Sequence, residues 1–346
     1  MAIKIEDKTL RTNDVIVKLI TLSNRNGLKV TLCELGAAIW NISIPNRHGG
    51  TTDLVLGYED EENWLTNPYF MGVTVGPVAN RVAESCFDID EQRHVLEANE
   101  SNNCLHSGPS GLHSKFWLFE SGDSQQDAWV KFVYTRPDGE GGFPGNLHLE
   151  VEYRITDDNC LLIKYRGSSD KTTPIALTNH SYFNLADDKS RGILDHRLQL
   201  FCDEYLPLNQ ASIPTGILRE TADTAFDFRQ PKAIGEDIDL VPPGYDHYFV
   251  LRRENPEKMR HAATLLEPES GRKMELHTTD VGLQFYSGCH MDGRTQQRGQ
   301  LPLQPFSGLC LETHGFPNAV KFSHFPSVLV TPEQEYQHTN IYKFGF

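Results

Sequence analysis

The 346-residue chain lacks the features of a membrane-bound or exported protein. No stretch approaches the roughly 18 consecutive apolar residues of a membrane span, and the opening segment 1–8 has no apolar core of the signal-peptide kind. The seven cysteines are scattered without any C-x-x-C pair, which is typical of reduced thiols rather than of disulfides or structural zinc. We therefore expect a cytoplasmic protein with no membrane partner.

The chain also lacks any block of lysine and arginine, and its formal net charge is -15. A strongly acidic surface repels phosphate backbones and anionic lipids, so the charge predicts no nucleic-acid partner. It also disfavours highly anionic substrates. A small neutral ligand is therefore expected.

Several catalytic motifs are absent from the sequence. There is no G-x-S-x-G elbow, no G-x-x-x-x-G-K-[ST] loop, no G-x-G-x-x-G before a helix and no H-E-x-x-H. The histidines are not grouped at metal-ligand spacings along the chain. The sequence thus predicts neither a cofactor nor a metal, and it leaves acid–base chemistry by histidine and carboxylate.

Helical patterning is nearly absent as well, and period-two alternation takes its place. The best helical segment, 60–65, is one or two turns long. Apolar and polar residues alternate over 147–155 and again over 161–166, around the turn Asp157-Asp158-Asn159, which predicts a β-hairpin with one buried face. Similar alternation occurs at 40–44 and 130–134.

Short strands without intervening helices predict an all-β fold, since parallel sheets need crossover connections. We expect a large antiparallel β-sandwich with very little helix. Composition changes nowhere along the chain, and no linker or repeat interrupts it. A single domain over 1–346 is therefore expected.

Five polar clusters lie in turn-rich stretches beside strands, where functional sites are usually built. They are 76–82 (with Asn80 and Arg81), 102–108 (with His106), 177–185 (with His180), 242–247 (with Asp246) and 308–317 (with Glu312). Each also has an ordinary explanation: a surface arginine, a plain loop, a buried polar network, a turn-capping aspartate or an exposed strand end. The clusters at 177–185 and 308–317 favour a site most, because burying their polar groups is costly without partners.

Taken together, the clusters resemble the galactose mutarotase (aldose 1-epimerase) family in order and rough spacing, from about Leu28 onward. The matching segments are Asn80-Arg81, Leu105-His106, Thr178-Asn179-His180-x-Tyr182-Phe183-Asn184-Leu185, Gly244-Tyr245-Asp246-His247, Leu283-Gln284-Phe285-Tyr286-Ser287-Gly288 and Leu311-Glu312-Thr313. Further matches are 203–207, 225–229 and the segment from Pro332 to Phe344. Each motif is weak alone, but six in order are specific.

The resemblance implies the exchange of α and β anomers of a free hexose such as galactose or glucose, without a cofactor. It implies that Glu312 is the general base and His180 the general acid. It also implies substrate-binding roles for the remaining polar residues of the motifs: Asn80, Arg81, His106, Asp246 and Gln284. Phe285 either stacks on a sugar face or belongs to the core.

The sequence departs from the family pattern at four places beside the inferred site. Pro77 stands where an arginine is frequent, and Ser107 replaces the glycine of a Leu-His-Gly-Gly motif. His314-Gly315 and Asn318 differ from the residues usual after the glutamate. These departures bear on the preferred sugar more than on the reaction.

Other interpretations stay open at this point. A non-catalytic sugar-binding protein would not need both His180 and Glu312. A hexose-6-phosphate 1-epimerase would need basic residues for the phosphate, and a glycosidase or lyase would need a second carboxylate, for which Asp246 is the candidate. The sequence fits either a monomer or a homodimer.

Overall fold

The computed structural model describes residues 1–10, 15–252 and 259–346. The described strands are, in chain order, β1 (Ala2–Leu10), β2 (Val15–Ser23), β3 (Lys29–Cys33), β4 (Ala38–Pro45), β5 (Thr51–Asp53), β6 (Thr74–Val75), β7 (Arg81–Val82), β8 (Cys86–Ile89), β9 (Gln92–Val95), β10 (Cys104–Leu105), β11 (Leu118–Asp123), β12 (Asp127–Arg136), β13 (Leu147–Thr156), β14 (Cys160–Ser169), β15 (Thr173–Pro174), β16 (Thr178–Asn179), β17 (Arg197–Leu200), β18 (Cys202–Leu206), β19 (Arg219–Glu220), β20 (Lys232–Ala233), β21 (Asp246–Leu251), β22 (Arg260–Leu266), β23 (Lys273–Thr278), β24 (Gly282–Tyr286), β25 (Gln296–Gln297), β26 (Leu301–Pro302), β27 (Cys310–Thr313), β28 (Leu329–Val330) and β29 (Tyr336–Gly345).

Three larger sheets dominate the described chain. Their strand orders are β1-β2-β3-β4-β5, β11-β12-β13-β14-β29-β23-β22-β17-β20 and β19-β18-β21-β24-β27. The strand pairs within them are antiparallel. The predicted all-β, antiparallel fold is confirmed.

The predicted hairpin forms strands β13 and β14, which pair antiparallel around the turn at 157–159. The apolar residues of β13, at every second position from Leu147 to Ile155, are fully buried, and the residues between them are partly or fully exposed. One face of the hairpin therefore covers the core and the other faces solvent, as the alternation indicates.

The main core lies between the three larger sheets. It combines Val30 and Ile42 of the first sheet, Phe132 of the second and Phe249 and Leu283 of the third in one cluster of buried residues. Burial of apolar side chains between sheets gives the fold its main stabilising contribution.

Helices are short in the described residues. The α-helix α1 (Glu62–Thr66) lies where the sequence predicts one or two turns, and it ends at Asn67 in a left-handed conformation. In the described part of the chain six 3₁₀ turns accompany it: Ala83–Ser85, Leu112–Ser114, Glu140–Gly142, Lys189–Arg191, Ile238–Leu240 and Ala319–Lys321. Among the helices that the structure describes, none is long and apolar enough to cross a membrane.

Candidate active site

Strands β21, β24 and β27 form one wall of the site. Gln284 of β24 lies opposite Glu312 of β27, and Tyr286 of β24 lies opposite Asp246 of β21. Residues directly opposite each other share a face of a sheet, and so do residues two apart on one strand. The register therefore brings four polar side chains from three strands to one face of the sheet.

Two very short ladders form the facing wall. Strand β7 pairs with β10, and the backbone N–H of His106 extends this ladder by donating to the carbonyl of Asn80 at 3.0 Å. Strand β16 pairs with β6, and His180 continues that ladder through a backbone bond to Val73 at 3.0 Å. Backbone pairing thus positions the main chain at Asn80, His106 and His180, from which their side chains extend.

Asn80 and His106 both have left-handed backbone conformations, with φ of 62° and 52°. Such conformations are uncommon outside glycine and are most accessible to Asn, Asp and His. The Asn80 Oδ1 accepts the backbone N–H of Arg81 at 2.7 Å, which stabilises the turn. These residue types therefore suit the local backbone and also place polar side chains at the site.

The two walls enclose an open cavity of about 370 Å³. All seven residues that the sequence singles out line it: Asn80, Arg81, His106, His180, Asp246, Gln284 and Glu312. Additional lining residues are Pro68, Tyr69, Phe70, Glu100, Leu105, Tyr182, Ser212, Tyr286 and His290. The five clusters of the sequence thus meet in one place, although the role of each residue stays a prediction.

The imidazole of His180 and the carboxylate of Glu312 face each other directly. His180 Nε2 lies 3.7 Å from Glu312 Oε1, and both side chains are about 95% buried. An acid and a base that each reach one of two neighbouring substrate oxygens at about 2.6–3.2 Å lie within roughly 8 Å of each other, and this pair meets that condition. The pair therefore has the geometry for concerted proton transfer to and from one small substrate.

Burial perturbs both groups in the direction of their neutral forms. It raises the pKa of Glu312 well above its ordinary value; the charge of Asp246 raises it further, and Arg81 opposes the rise. Burial also lowers the pKa of His180 to about 4, against the opposing effects of a hydrogen bond to its own backbone carbonyl and of Asp246. A raised pKa makes the ionised Glu312 a stronger base than an exposed glutamate.

His106 is held as a neutral hydrogen-bond donor. Burial lowers its pKa well below the ordinary value, and the neighbouring His180 and Arg81 lower it further. The backbone N–H of Asn80 donates to His106 Nδ1 at 3.2 Å. Because Nδ1 accepts, the hydrogen of the neutral ring resides on Nε2, which can donate to a ligand oxygen.

The remaining polar side chains hold one another in place. Gln284 Nε2 donates to Asp246 Oδ1 at 2.6 Å, and Arg81 Nη1 lies 3.8 Å from Asp246 Oδ2. Arg81 also makes a double hydrogen bond to Glu100, from Nε at 2.5 Å and from Nη2 at 2.8 Å. Asp246 therefore stabilises the site rather than capping its own turn.

The fold brings together histidines that are far apart in sequence. His106, His180 and Glu312 each offer a ligand atom, and these atoms lie within 4.8 Å of one another. The spacing of these residues along the chain gave no indication that they would lie together. The Nε2–H form of His106 opposes metal binding through Nε2, because a metal needs the lone pair that the hydrogen occupies.

Sequence reasoning missed several residues of the cavity wall. Glu100 is a half-exposed loop acid that nothing in its sequence context distinguishes. Phe70 packs its ring edge-to-face against His106, with centroids 4.7 Å apart.

Phe285, which the sequence offered either as a sugar-stacking residue or as a core residue, is fully buried, stacks on Tyr245 and belongs to the core.

None of the positions that depart from the family pattern is among the described residues that line the cavity. Ser107 has a left-handed φ of 66°, which explains why glycine suits this position. Its hydroxyl accepts the backbone N–H of Val78 at 2.9 Å and donates to the Val78 carbonyl at 3.0 Å. These two bonds offset the backbone strain.

The other departures have local structural roles too. Asn318 also has a left-handed backbone, with φ of 57°, and its Oδ1 accepts the backbone N–H of Ala83 at 3.1 Å. His314 is buried and bonds the Gly315 carbonyl through Nδ1 at 2.6 Å. The Pro77 carbonyl accepts the Ala176 N–H at 2.7 Å.

Comparison with known proteins gives a consistent result. A family model described as aldose 1-epimerase matches residues 18–343. The chain belongs to the aldose 1-epimerase family. Of its epimerase relatives, galactose mutarotase from Bos taurus is 37% identical over 322 residues, which is 92% of this chain and 91% of the relative. Aldose 1-epimerase from Escherichia coli K12 is 36% identical over 334 residues, or 94% and 95% of the two chains.

Solved structures of epimerases have the same fold. An aldose epimerase homologue from C. elegans aligns with a TM-score of 0.88 and 27% identity over 95% of this chain and 99% of that one. A galactose 1-epimerase from Lactobacillus acidophilus aligns with a TM-score of 0.86 and 26% identity over 100% and 99%. This member of the aldose 1-epimerase family therefore shares the overall fold of these structures.

Proposed function

We propose that the protein is an aldose 1-epimerase that interconverts the α and β anomers of free hexoses such as galactose and glucose. The observation that carries this proposal is the buried pair of His180 and Glu312, 3.7 Å apart at the cavity wall. Relatives at 36–37% identity are named galactose mutarotase and aldose 1-epimerase, which supports it.

The reaction needs one base and one acid. Glu312 takes the proton of the C1 hydroxyl while His180 gives a proton to the ring oxygen O5, so the C1–O5 bond breaks and C1 becomes a carbonyl. Rotation about C1–C2 turns the other face of the carbonyl toward O5. Reclosure reverses the two proton transfers, and each group contributes roughly 10²–10⁴-fold to the rate.

The proton inventory of the cavity suits this exchange. Burial favours a protonated Glu312 beside a neutral His180, and moving one proton between them creates the carboxylate and imidazolium that ring opening uses. Sugar hydroxyls that donate to the carboxylate stabilise this charged state. His106, through Nε2–H, donates to a sugar oxygen.

The charges of the cavity favour a neutral sugar over a phosphorylated one. Arg81 is the only lysine or arginine among the described residues that line it, and Glu100 already occupies its guanidinium. A hexose-6-phosphate 1-epimerase would need an unoccupied cation for the phosphate. Asp246, Gln284, Asn80 and Arg81 instead serve as hydrogen-bonding partners of sugar hydroxyls.

The direct test compares three sugars. Polarimetry, or exchange NMR, follows α-galactose, α-glucose and glucose 6-phosphate with the purified protein. We expect the two free hexoses to equilibrate faster than their spontaneous background and glucose 6-phosphate to remain near it. A protein that binds galactose without accelerating its equilibration would be a sugar-binding protein, and the proposal would be wrong.

Replacing Asp246 by asparagine is expected to act mainly on KM. The amide keeps the shape but loses the charge, and a binding group contributes to ground state and transition state alike. Hydrogen bonds to charged groups are worth about 1.5–3 kcal/mol, so we expect KM for galactose to rise roughly tenfold. Initial-rate polarimetry over a range of galactose concentrations checks this. A large fall in kcat with KM unchanged would contradict it.

Dialysis against EDTA is expected to leave the activity unchanged. The proposed reaction moves protons only, and His106 presents a hydrogen rather than a lone pair at Nε2. Galactose mutarotation is measured before and after dialysis, with buffer dialysis as the control. Activity that is lost and then restored by one divalent ion would show that the cluster of His106, His180 and Glu312 holds a working metal.

Further proposals concern the organisation of the chain. We propose that residues 1–346 form a single domain, since one core cluster joins buried residues of all three larger sheets, from Ile20 to Phe344. We propose a cytoplasmic location, supported by seven cysteines that are all free and buried. A monomer or homodimer is expected, without nucleic-acid or membrane partners.

A further inference from the structure

Glu100 occupies a position at the cavity that the proposed reaction does not use. It lines the cavity and reaches Arg81 with both carboxylate oxygens, at 2.5 and 2.8 Å. Its own side chain is 36% exposed, whereas that of Arg81 is 10% exposed. Glu100 therefore lies on the solvent side of the one arginine in the described lining.

The Glu100 carboxylate balances the positive charge of Arg81, and the guanidinium stays protonated. Burial would lower the Arg81 pKa, but the hydrogen bond to Glu100 and the negative charges of Asp246 and Glu100 more than offset burial, so the pKa is raised. A planar guanidinium binds a carboxylate or phosphate through two parallel N–H groups. In this cavity the Glu100 carboxylate already accepts two such N–H groups of Arg81, from Nε and Nη2. The third nitrogen, Nη1, lies 3.8 Å from Asp246 Oδ2.

The loop that carries Glu100 is anchored to the ladder that carries His106. The Glu100 carbonyl accepts the backbone N–H of Asn103 at 2.9 Å. The Asn99 side chain accepts the backbone N–H of Leu105 at 2.8 Å and donates to its carbonyl at 3.0 Å. The loop backbone is thus hydrogen-bonded on both sides of Glu100, which places its side chain beside Arg81.

We propose that Glu100 is a specificity-determining residue that excludes anionic sugars by occupying the guanidinium of Arg81. This inference rests on the proposed mutarotation of neutral hexoses. When the charge of Glu100 is removed, the Arg81 N–H groups become available to bind another anion. The cavity then accepts hexuronates and other sugars with a carboxylate or phosphate. Bound anion and Glu100 compete for the same N–H groups.

The test compares the neutral and acidic forms of one sugar. We expect Glu100→Gln to raise the ratio of kcat/KM for galacturonate to that for galactose by about tenfold or more, the equivalent of about 1.4 kcal/mol. Glu100→Asp keeps the charge and should keep the ratio of the wild type. Exchange NMR measures both sugars in the same buffer.

Asp203→Asn serves as a matched control. Asp203 pairs with Arg252 at 2.9 Å on the exposed surface, and its replacement changes the net charge by the same amount as Glu100→Gln. We expect this variant to leave the ratio unchanged. If the ratio rose equally in Asp203→Asn, the change in overall charge would explain the result for Glu100→Gln, and the proposal would be overturned.

Calorimetric titration with inorganic phosphate gives a readout that does not depend on turnover. We expect phosphate to bind Glu100→Gln at least tenfold more tightly than the wild type, and the gain to disappear in Glu100→Gln/Arg81→Met. Unchanged phosphate affinity and an unchanged sugar ratio in a folded Glu100→Gln would overturn the proposal. A wild type that fails to accelerate galactose equilibration would instead refute the proposed function, whatever the phosphate result.

Discussion

Replacing Glu312 by glutamine is expected to lower kcat for galactose mutarotation by roughly 100-fold or more, with KM nearly unchanged. Glutamine keeps the volume and a hydrogen-bonding oxygen, but it cannot take a proton from the C1 hydroxyl. The site at Glu312 is 3% exposed, so water has little access to replace the missing base. Initial rates by polarimetry, corrected for the spontaneous reaction, measure the loss.

Glu267→Gln is a suitable control for this substitution. Glu267 is also 3% exposed, but its oxygens accept the backbone N–H groups of Glu269 and Ser270 at 3.0 and 2.7 Å in a surface turn. Its replacement tests whether a buried glutamine disturbs the fold, and we expect kcat to stay near that of the wild type. Near wild-type mutarotation by Glu312→Gln would refute the mechanism.

His180→Asn is expected to cause a loss of similar size from the acid side, roughly 100-fold in kcat. Asparagine can fill part of the space and donate a hydrogen bond, but it cannot release a proton to O5. Galactose binding, followed by calorimetry, should remain within a few-fold of the wild type, because Asp246, Gln284 and Arg81 are untouched.

His196→Asn provides the matched control for a buried histidine. His196 is 1% exposed and accepts the backbone N–H of Leu185 through Nε2 at 3.0 Å, away from the described cavity lining. We expect this variant to lose stability rather than kcat. If His180→Asn kept its rate while His196→Asn lost it, the proton donor would have to be sought elsewhere, with His106 as the next candidate.

Much of the fold could be predicted from alternation alone. Strands such as β13 bury one face completely, so apolar residues recur at every second position and the pattern is readable. Strand β24 is buried on both faces, and its sequence shows no alternation. The order of strands in the sheets depends on long-range pairing, which no local pattern encodes.

Some residues of the candidate site could likewise be predicted from the sequence, and others could not. His180 and Glu312 stand out because a histidine and a carboxylate inside apolar segments are costly to bury without a function or a partner. Glu100 stands in a polar loop, where an acid is ordinary, and only the double hydrogen bond to Arg81 distinguishes it. The proximity of His106 to His180 likewise follows from two ladders that meet only in the folded chain.

Strand β29 has a consequence for how the chain is made. It lies between β14 and β23 and is therefore the only link, among the described strands, between the two halves of the nine-stranded sheet. Its residues His338 and Asn340 also hold Thr313, the neighbour of Glu312, at 3.2 and 2.7 Å. Because β29 follows every other described strand, a growing chain on the ribosome carries two open sheet edges until β29 emerges, and strand β27 with Glu312 lacks these contacts to Thr313. Both edges are open from the synthesis of β23 to that of β29, and open sheet edges promote aggregation of the nascent chain.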